Sequence, residues 1–117
     1  MALALQHVHL KTTDPKATIQ YYIDNFGATI KGTMPNGGYQ LDLHGLQLNV
    51  TDKVATQNHE QHYGIEHMAV TTTDYPATMA SLRGNGVAIL EELVSNGHRV
   101  AFVQAPDGAQ MEIIEKV

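Results

Sequence analysis

Residues 5–18, LQHVHLKTTDPKAT, return sixty positions later as residues 65–78, IEHMAVTTTDYPAT, and six of the 14 aligned pairs are identical. They are His7/His67, Thr12/Thr72, Thr13/Thr73, Asp14/Asp74, Ala17/Ala77 and Thr18/Thr78. Average composition yields on the order of one match over such a length, so the chain reads as a duplication. Each copy opens on a strand. Val8 and Leu10, or Met68 and Val70, alternate with His7 and His9, or His67 and Ala69, the two-residue period of a sheet with one apolar face. The apolar set is expected to face a helix. Asp14 and Asp74 follow where an N-cap accepts backbone hydrogen bonds, with Pro15 or Pro76 in the first turn. Ile19, Tyr22, Ile23 and Phe26 give the first helix an apolar side that Gly27 ends; Met79 and Leu82 do so before Gly84-Asn85-Gly86 in the second.

Outward from these segments, each helix is followed by three short strands separated by turn residues. The first set is expected at 29–33, 39–43 and 46–51, the second near 87–93, 99–104 and 110–115, with breaks at Asn36-Gly37-Gly38, His44-Gly45, Asn96-Gly97 and Pro106-Asp107-Gly108. The plan is βαβββ twice. That is an α+β fold in a single domain, 1–117, with module one at 1–53, a linker at 54–63 within the polar stretch 52–63, and module two at 64–117. One helix covers one face of four strands, so a lone module leaves its other face open. Two modules are therefore expected to form a curved mixed sheet around a cleft, where a ligand would bind.

The 117 residues carry a net charge of −5 and no cysteine. This excludes a disulfide framework, a thiolate nucleophile and any Cys-type metal site. The basic residues are scattered, which argues against nucleic acid as a partner. No apolar run is long enough for a signal peptide or a membrane span, so a cytoplasmic protein acting on a small molecule is expected. Asn49-Val50-Thr51 matches a glycosylation sequon but falls within a strand. In NHEQH, His59, Glu60 and His62 lack the spacing of a zinc-protease helix, and a solvated loop is the simpler reading.

Strand alternation also assigns the open face. It gathers His7, His9, His67 and Ala69 from the opening strands, Gln47, Asn49 and Thr51 from the first module's last strand, and Gln110, Glu112 and Ile114 from the second module's last strand. Across the repeat His7 pairs with His67 and Gln47 with Glu112. Two imidazoles, a carboxylate and an amide oxygen make a divalent metal set suited to Ni, Co, Mn, Fe or Zn rather than Ca or Mg. Glu112 lies in the otherwise apolar string QMEII, where an unpaired carboxylate is costly. His9, Asn49, His98, Arg99 and Phe102 are candidates for substrate contact.

The segments QHVHLKTTDPKATIQYYIDNFGATI, GIEHMAVTTTD and FVQAPDGAQMEII resemble the vicinal oxygen chelate (glyoxalase/bleomycin resistance/dioxygenase) superfamily over nearly the whole chain. The resemblance places the family's metal ligands on His7, Gln47, His67 and Glu112. It implies that a substrate's neighbouring oxygens meet the metal, which lowers the energy of an enolate or similar oxyanion. The glyoxalase I branch commonly has glutamate at both final-strand positions, and here only Glu112 remains. The His/Gln/His/Glu set resembles the methylmalonyl-CoA epimerases, whose additional first-half glutamate has no counterpart except Asp42. Extradiol dioxygenases and fosfomycin-resistance enzymes carry a tyrosine where this chain has Phe102, and bleomycin binders normally lack the ligands. The resemblance therefore implies a metal-dependent lyase or isomerase of the glyoxalase I type, with Glu112 moving the proton. A non-haem Fe(II) dioxygenase and a non-catalytic binding protein are the alternatives. It also implies a homodimer, with the modules paired within one chain or exchanged between two.

Overall fold

Asp14 and Asp74 fix where both helices begin. In the computed structural model, which describes residues 2–116, the Asp14 carboxylate accepts from the Ala17 N–H at 3.1 Å and that of Asp74 from the Ala77 N–H at 3.0 Å. These bonds satisfy donors that a first turn otherwise leaves open. The elements are β1 Leu3–Lys11, α1 Pro15–Phe26, β2 Thr29–Thr33, β3 Tyr39–Leu43, β4 Leu46–Thr51, β5 Gly64–Thr72, α2 Tyr75–Gly84, β6 Ile89–Ser95, β7 His98–Gln104, a 3-10 turn Pro106–Gly108, and β8 Gln110–Glu115. This is the expected α+β plan of two βαβββ modules. Parallel pairs (β1 with β4, β5 with β8) combine with antiparallel ones, so the strands are mixed.

Two compact units result. One comprises His7–Glu66; the other joins His67 onward to the chain's first residues as far as Gln6. Ala2 and Thr73 explain the second grouping: the Thr73 N–H donates to the Ala2 carbonyl at 3.2 Å and the Ala2 N–H to Thr73 Oγ1 at 3.3 Å.

In the first unit the strand order is β2-β3-β4-β1. Leu10, Ile19, Ala28, Leu41, Leu48 and Val50 are buried together, with Val8, Tyr22 and Ile23 packed around them. Truncating such a leucine costs about 2–5 kcal/mol. Phe26, expected on the apolar side of α1, is instead exposed, its ring tilted against Tyr21 and Tyr22 at 5.8 and 6.3 Å. It is the helix's last residue, beyond the part of α1 that the sheet covers. The polar stretch 52–63 is an ordered loop. Val54 is buried, and the Gln61 side chain accepts from the Val54 N–H and donates to the carbonyls of Val54 and Gln57, each at 3.0 Å.

In the second unit the order is β5-β8-β7-β6. Tyr75, Met79, Ala101, Val103 and Ile113 form its core, with Val70 and Met111 against them. Met68, expected to face the helix, is 40% exposed, because ten-residue α2 covers only part of β5. Strand β6 begins at Ile89 rather than 87 because the Val87 N–H is tied to the Leu82 carbonyl at 3.0 Å, closing the helix. Among the described residues no helix is long and apolar enough to cross a membrane.

Candidate functional site

The parallel pairing of β1 with β4 puts His9 beside Asn49 and Lys11 beside Thr51. His7, His9, Gln47, Asn49 and Thr51 therefore share the face opposite the first unit's core. His7, His9, Asn49 and Thr51 are all buried. The two imidazoles meet edge to face with centroids 6.1 Å apart. His9 Nε2 and Thr51 Oγ1 are hydrogen-bonded at 2.6 Å. Gln47 is held at both ends of its amide: Nε2 donates to Asn49 Oδ1 at 3.0 Å, and Oε1 accepts from Lys31 Nζ at 2.7 Å. The amide oxygen expected to face a metal thus already meets one cation. Burial of Asn49 and its bond to Gln47 leave the sequon unavailable for glycosylation.

On the second unit, β5 and β8 pair in parallel with Ala69 beside Glu112, and β7 sets Phe102 opposite Glu112. His67, Phe102, Gln110 and Glu112 therefore share the face opposite that unit's core, and all four are buried. His67 Nε2 lies 3.1 Å from Glu112 Oε1. The Phe102 ring abuts the imidazole edge-on at 5.4 Å, which fixes the ring plane. Two ligands held roughly 2.1 Å from one ion at about a right angle stand about 3 Å apart, so this nitrogen–oxygen pair fits a divalent cation. The donor set of each unit agrees with that fit: imidazole and amide oxygen in the first, imidazole and carboxylate in the second.

Two expected substrate contacts lie elsewhere. Arg99 is three residues from Phe102 and so occupies the opposite side of β7, over the Tyr75 ring at 4.9 Å. Its backbone N–H donates to Glu115 Oε1 and its Nε to Oε2, both at 3.0 Å. These bonds hold the Glu115 carboxyl down at about 2. Burial, then the hydrogen bond to Glu92, pushes the Tyr75 hydroxyl up to about 12. Arg99 belongs to this helix-side network and does not join His67 and Glu112. His98 is pinned by a 2.7 Å hydrogen bond between its Nδ1 and the Glu115 carbonyl.

The residues missed in the sequence are Lys31, Thr51 and Glu66. Lys31 lies on β2, where its reach to Gln47 has no sequence signal. Alternation puts Thr51 on the open face, but its bond to His9 follows from the parallel register of β1 with β4, which the sequence does not encode. Glu66 directly precedes His67 and is 1% exposed; its Oε2 accepts from the His62 N–H at 2.8 Å, anchoring the NHEQH loop.

Residues 4–113 match the family profile of the Glyoxalase/Bleomycin resistance protein/Dioxygenase superfamily. The chain belongs to this superfamily. A lactoylglutathione lyase of Haemophilus influenzae is 27% identical over 97% of this chain and 93% of its own length. Among solved structures, a hypothetical protein of Bacillus halodurans C-125 superposes with a TM-score of 0.76 at 18% identity, covering 100% of this chain and 96% of that one. A methylmalonyl-CoA epimerase of Mycobacterium tuberculosis superposes with a TM-score of 0.70 at 20% identity, covering 97% and 87%. These two likenesses show the fold, while the similar curated protein of Haemophilus influenzae is named a lyase.

Proposed function

We propose that the chain is a metal-dependent lyase or isomerase of the glyoxalase I type. Its substrate is a small molecule with neighbouring carbonyl and hydroxyl oxygens. The observation that carries this reading is the buried contact of His67 Nε2 with Glu112 Oε1 at 3.1 Å, a nitrogen and an oxygen donor at the spacing of two ligands on one ion. The lactoylglutathione lyase similarity over nearly the full length of both chains supports it.

His7 and Gln47 of the first module and His67 and Glu112 of the second would hold the ion, in line with the duplication of the histidines. When bound, a divalent ion (Ni, Co, Mn, Fe or Zn) supplies Lewis-acid polarisation of the substrate oxygens. Glu112 would take the proton from the carbon bearing the hydroxyl and return it to the neighbouring carbonyl carbon, while the hydroxyl proton passes to the former carbonyl oxygen, so that carbonyl and hydroxyl exchange places. Phe102 keeps the His67 ring in plane and excludes water from that side. Asn49 orients the Gln47 amide, and Thr51 orients His9 toward substrate. Leu3 and Leu5, 53% and 58% exposed, support a homodimer in which a second copy covers them; a mass measurement in solution tests this.

The chemistry is tested with the hemithioacetal of a 2-oxoaldehyde in D2O. Protein stripped by chelation is expected to leave the substrate carbon unexchanged, and one of the five metals to restore exchange. Full turnover after exhaustive chelation rejects the reading.

A further inference from the structure

The first unit contains a cavity of about 360 Å³ at the junction of β1, α1 and the start of β5. Its apolar walls are Leu10, Tyr22, Tyr63 and Ile65. It includes none of the histidines, Gln47 or Asn49. Its volume lies within the range of small-molecule sites.

The duplication supplies an internal control. In the second unit the corresponding polar groups are taken up by the protein itself. There Thr78 Oγ1 donates to the Asp74 carbonyl at 2.9 Å, the Thr73 N–H and hydroxyl both bond Ala2, and Thr71 stands where the first unit has Lys11. In the first unit these donors face the cavity instead. Thr18 Oγ1 meets Thr12 Oγ1 at 2.6 Å, just as Thr78 Oγ1 meets Thr72 Oγ1, but among the described residues it lacks the carbonyl bond that Thr78 makes. The Thr13 N–H and hydroxyl find no partner among the described residues. The Lys11 ammonium lies over the Tyr63 ring, 4.5 Å from its centroid, with no carboxylate among the cavity-lining residues. The nearby Asp14 carboxylate is engaged at the Ala17 N–H as the cap of α1. A cation, a backbone N–H and hydroxyls beside an apolar wall, with no anion to answer them, form a recognition set for a carboxylate carrying an apolar body.

We infer that this cavity binds a small organic monocarboxylate. Its carboxylate is held by Lys11 and Thr13, and its ring or branched chain lies against Leu10, Tyr22, Tyr63 and Ile65. Lys11 is the specificity residue, because the second copy has the uncharged Thr71 at its position.

The test titrates phenylacetate into the full chain, with phenylacetamide as the uncharged isostere, followed by amide NMR. Phenylacetate is expected to shift the Thr13 resonance and its neighbours. Phenylacetamide, and phenylacetate with Lys11→Met, are each expected to bind at least about tenfold more weakly. Thr18→Val, which preserves volume but removes the hydrogen bond to Thr12, is expected to weaken binding by about two- to fivefold in protein that remains folded by its amide spectrum. Equal affinity for acid and amide, or shifts centred on His67 and Phe102 instead of Thr13, would overturn the assignment.

Discussion

Glu112 Oε1 stands 3.1 Å from His67 Nε2 with both side chains buried, and Phe102 holds the imidazole from its edge. Burying a carboxylate is unfavourable by several kcal/mol unless a proton or cation answers it. Glu112→Gln keeps the shape and removes the charge. Reconstituted protein carrying it is expected to bind at least about tenfold less metal at equal free concentration. Its rate of substrate proton exchange is expected to fall by about 100-fold or more. Metal content equal to that of the parent protein removes Glu112 from the ligand set.

Lys31 and Asn49 hold the Gln47 amide together, the first at its oxygen and the second at its nitrogen. An ammonium on the amide oxygen repels a second cation approaching the same atom. Lys31→Met is therefore expected to tighten divalent metal binding by about three- to tenfold, measured by titration calorimetry. Unchanged or weaker binding argues against Gln47 as a ligand.

Much of this architecture was legible in the sequence because local signals agree with one another. Strands 29–33, 39–43, 46–51 and 110–115 coincide with the structure, each being an apolar alternation bracketed by turn residues. The left-handed Gly27 and the paired positive φ values of His44-Gly45 and Asn96-Gly97 fall where Gly and Asn marked stops. The polar faces of β1, β4, β5 and β8 follow from the same alternation. In β7, HRVAFVQ, four consecutive apolar residues are buried, so periodicity gives no face. Only the register of Phe102 with Glu112 shows that Arg99 points to the helix. The Gln47–Lys31 bond depends on side-chain reach from β2 across β3 to β4, which no period encodes.

Arg99 and Glu115 make a pH-dependent clamp on the second unit. Hydrogen bonds from Arg99 are the main cause that lowers the Glu115 carboxyl from 4.5 to about 2. A carboxyl depressed on folding stabilises the fold fully above its unfolded value and loses that contribution as pH falls through its folded value. Glu115→Gln is accordingly expected to lower the melting temperature most near neutral pH. The gap from the parent protein should close between pH 4.5 and about 2. A gap that stays constant over this window means that the pair contributes nothing as an ion pair.

Tyr75 gives the opposite limb. Burial and then the Glu92 hydrogen bond raise its hydroxyl from 10.0 to about 12, so the neutral phenol is favoured in the fold. Its contribution is present below the unfolded value and is lost as pH rises toward the folded one. The parent protein is expected to lose stability over that alkaline interval relative to Tyr75→Phe, as followed by thermal melts. Parallel melting curves for the two proteins across it would contradict the assignment.

Gly38 couples a turn to the candidate site by close approach. A Cβ built there meets Thr51 Cγ2 at 2.6 Å and the Val50 carbonyl oxygen at 2.8 Å, and that oxygen belongs to β4, whose ladder with β3 pairs Val50 with Tyr39. Neither atom can yield cheaply. Thr51 in turn holds His9 at 2.6 Å, so a displaced Thr51 moves the imidazole. Gly38→Ala is expected to destabilise the protein by about 1–3 kcal/mol and to shift the His9 ring resonances. Gly37→Ala is the control: its Cβ meets nothing within 4 Å, although φ is 84°. It is therefore expected to cost about 1–2 kcal/mol of backbone strain while leaving His9 where it is. If folded Gly38→Ala protein shows His9 unmoved, Thr51 does not transmit the strain, and its hydrogen bond is not what positions that histidine.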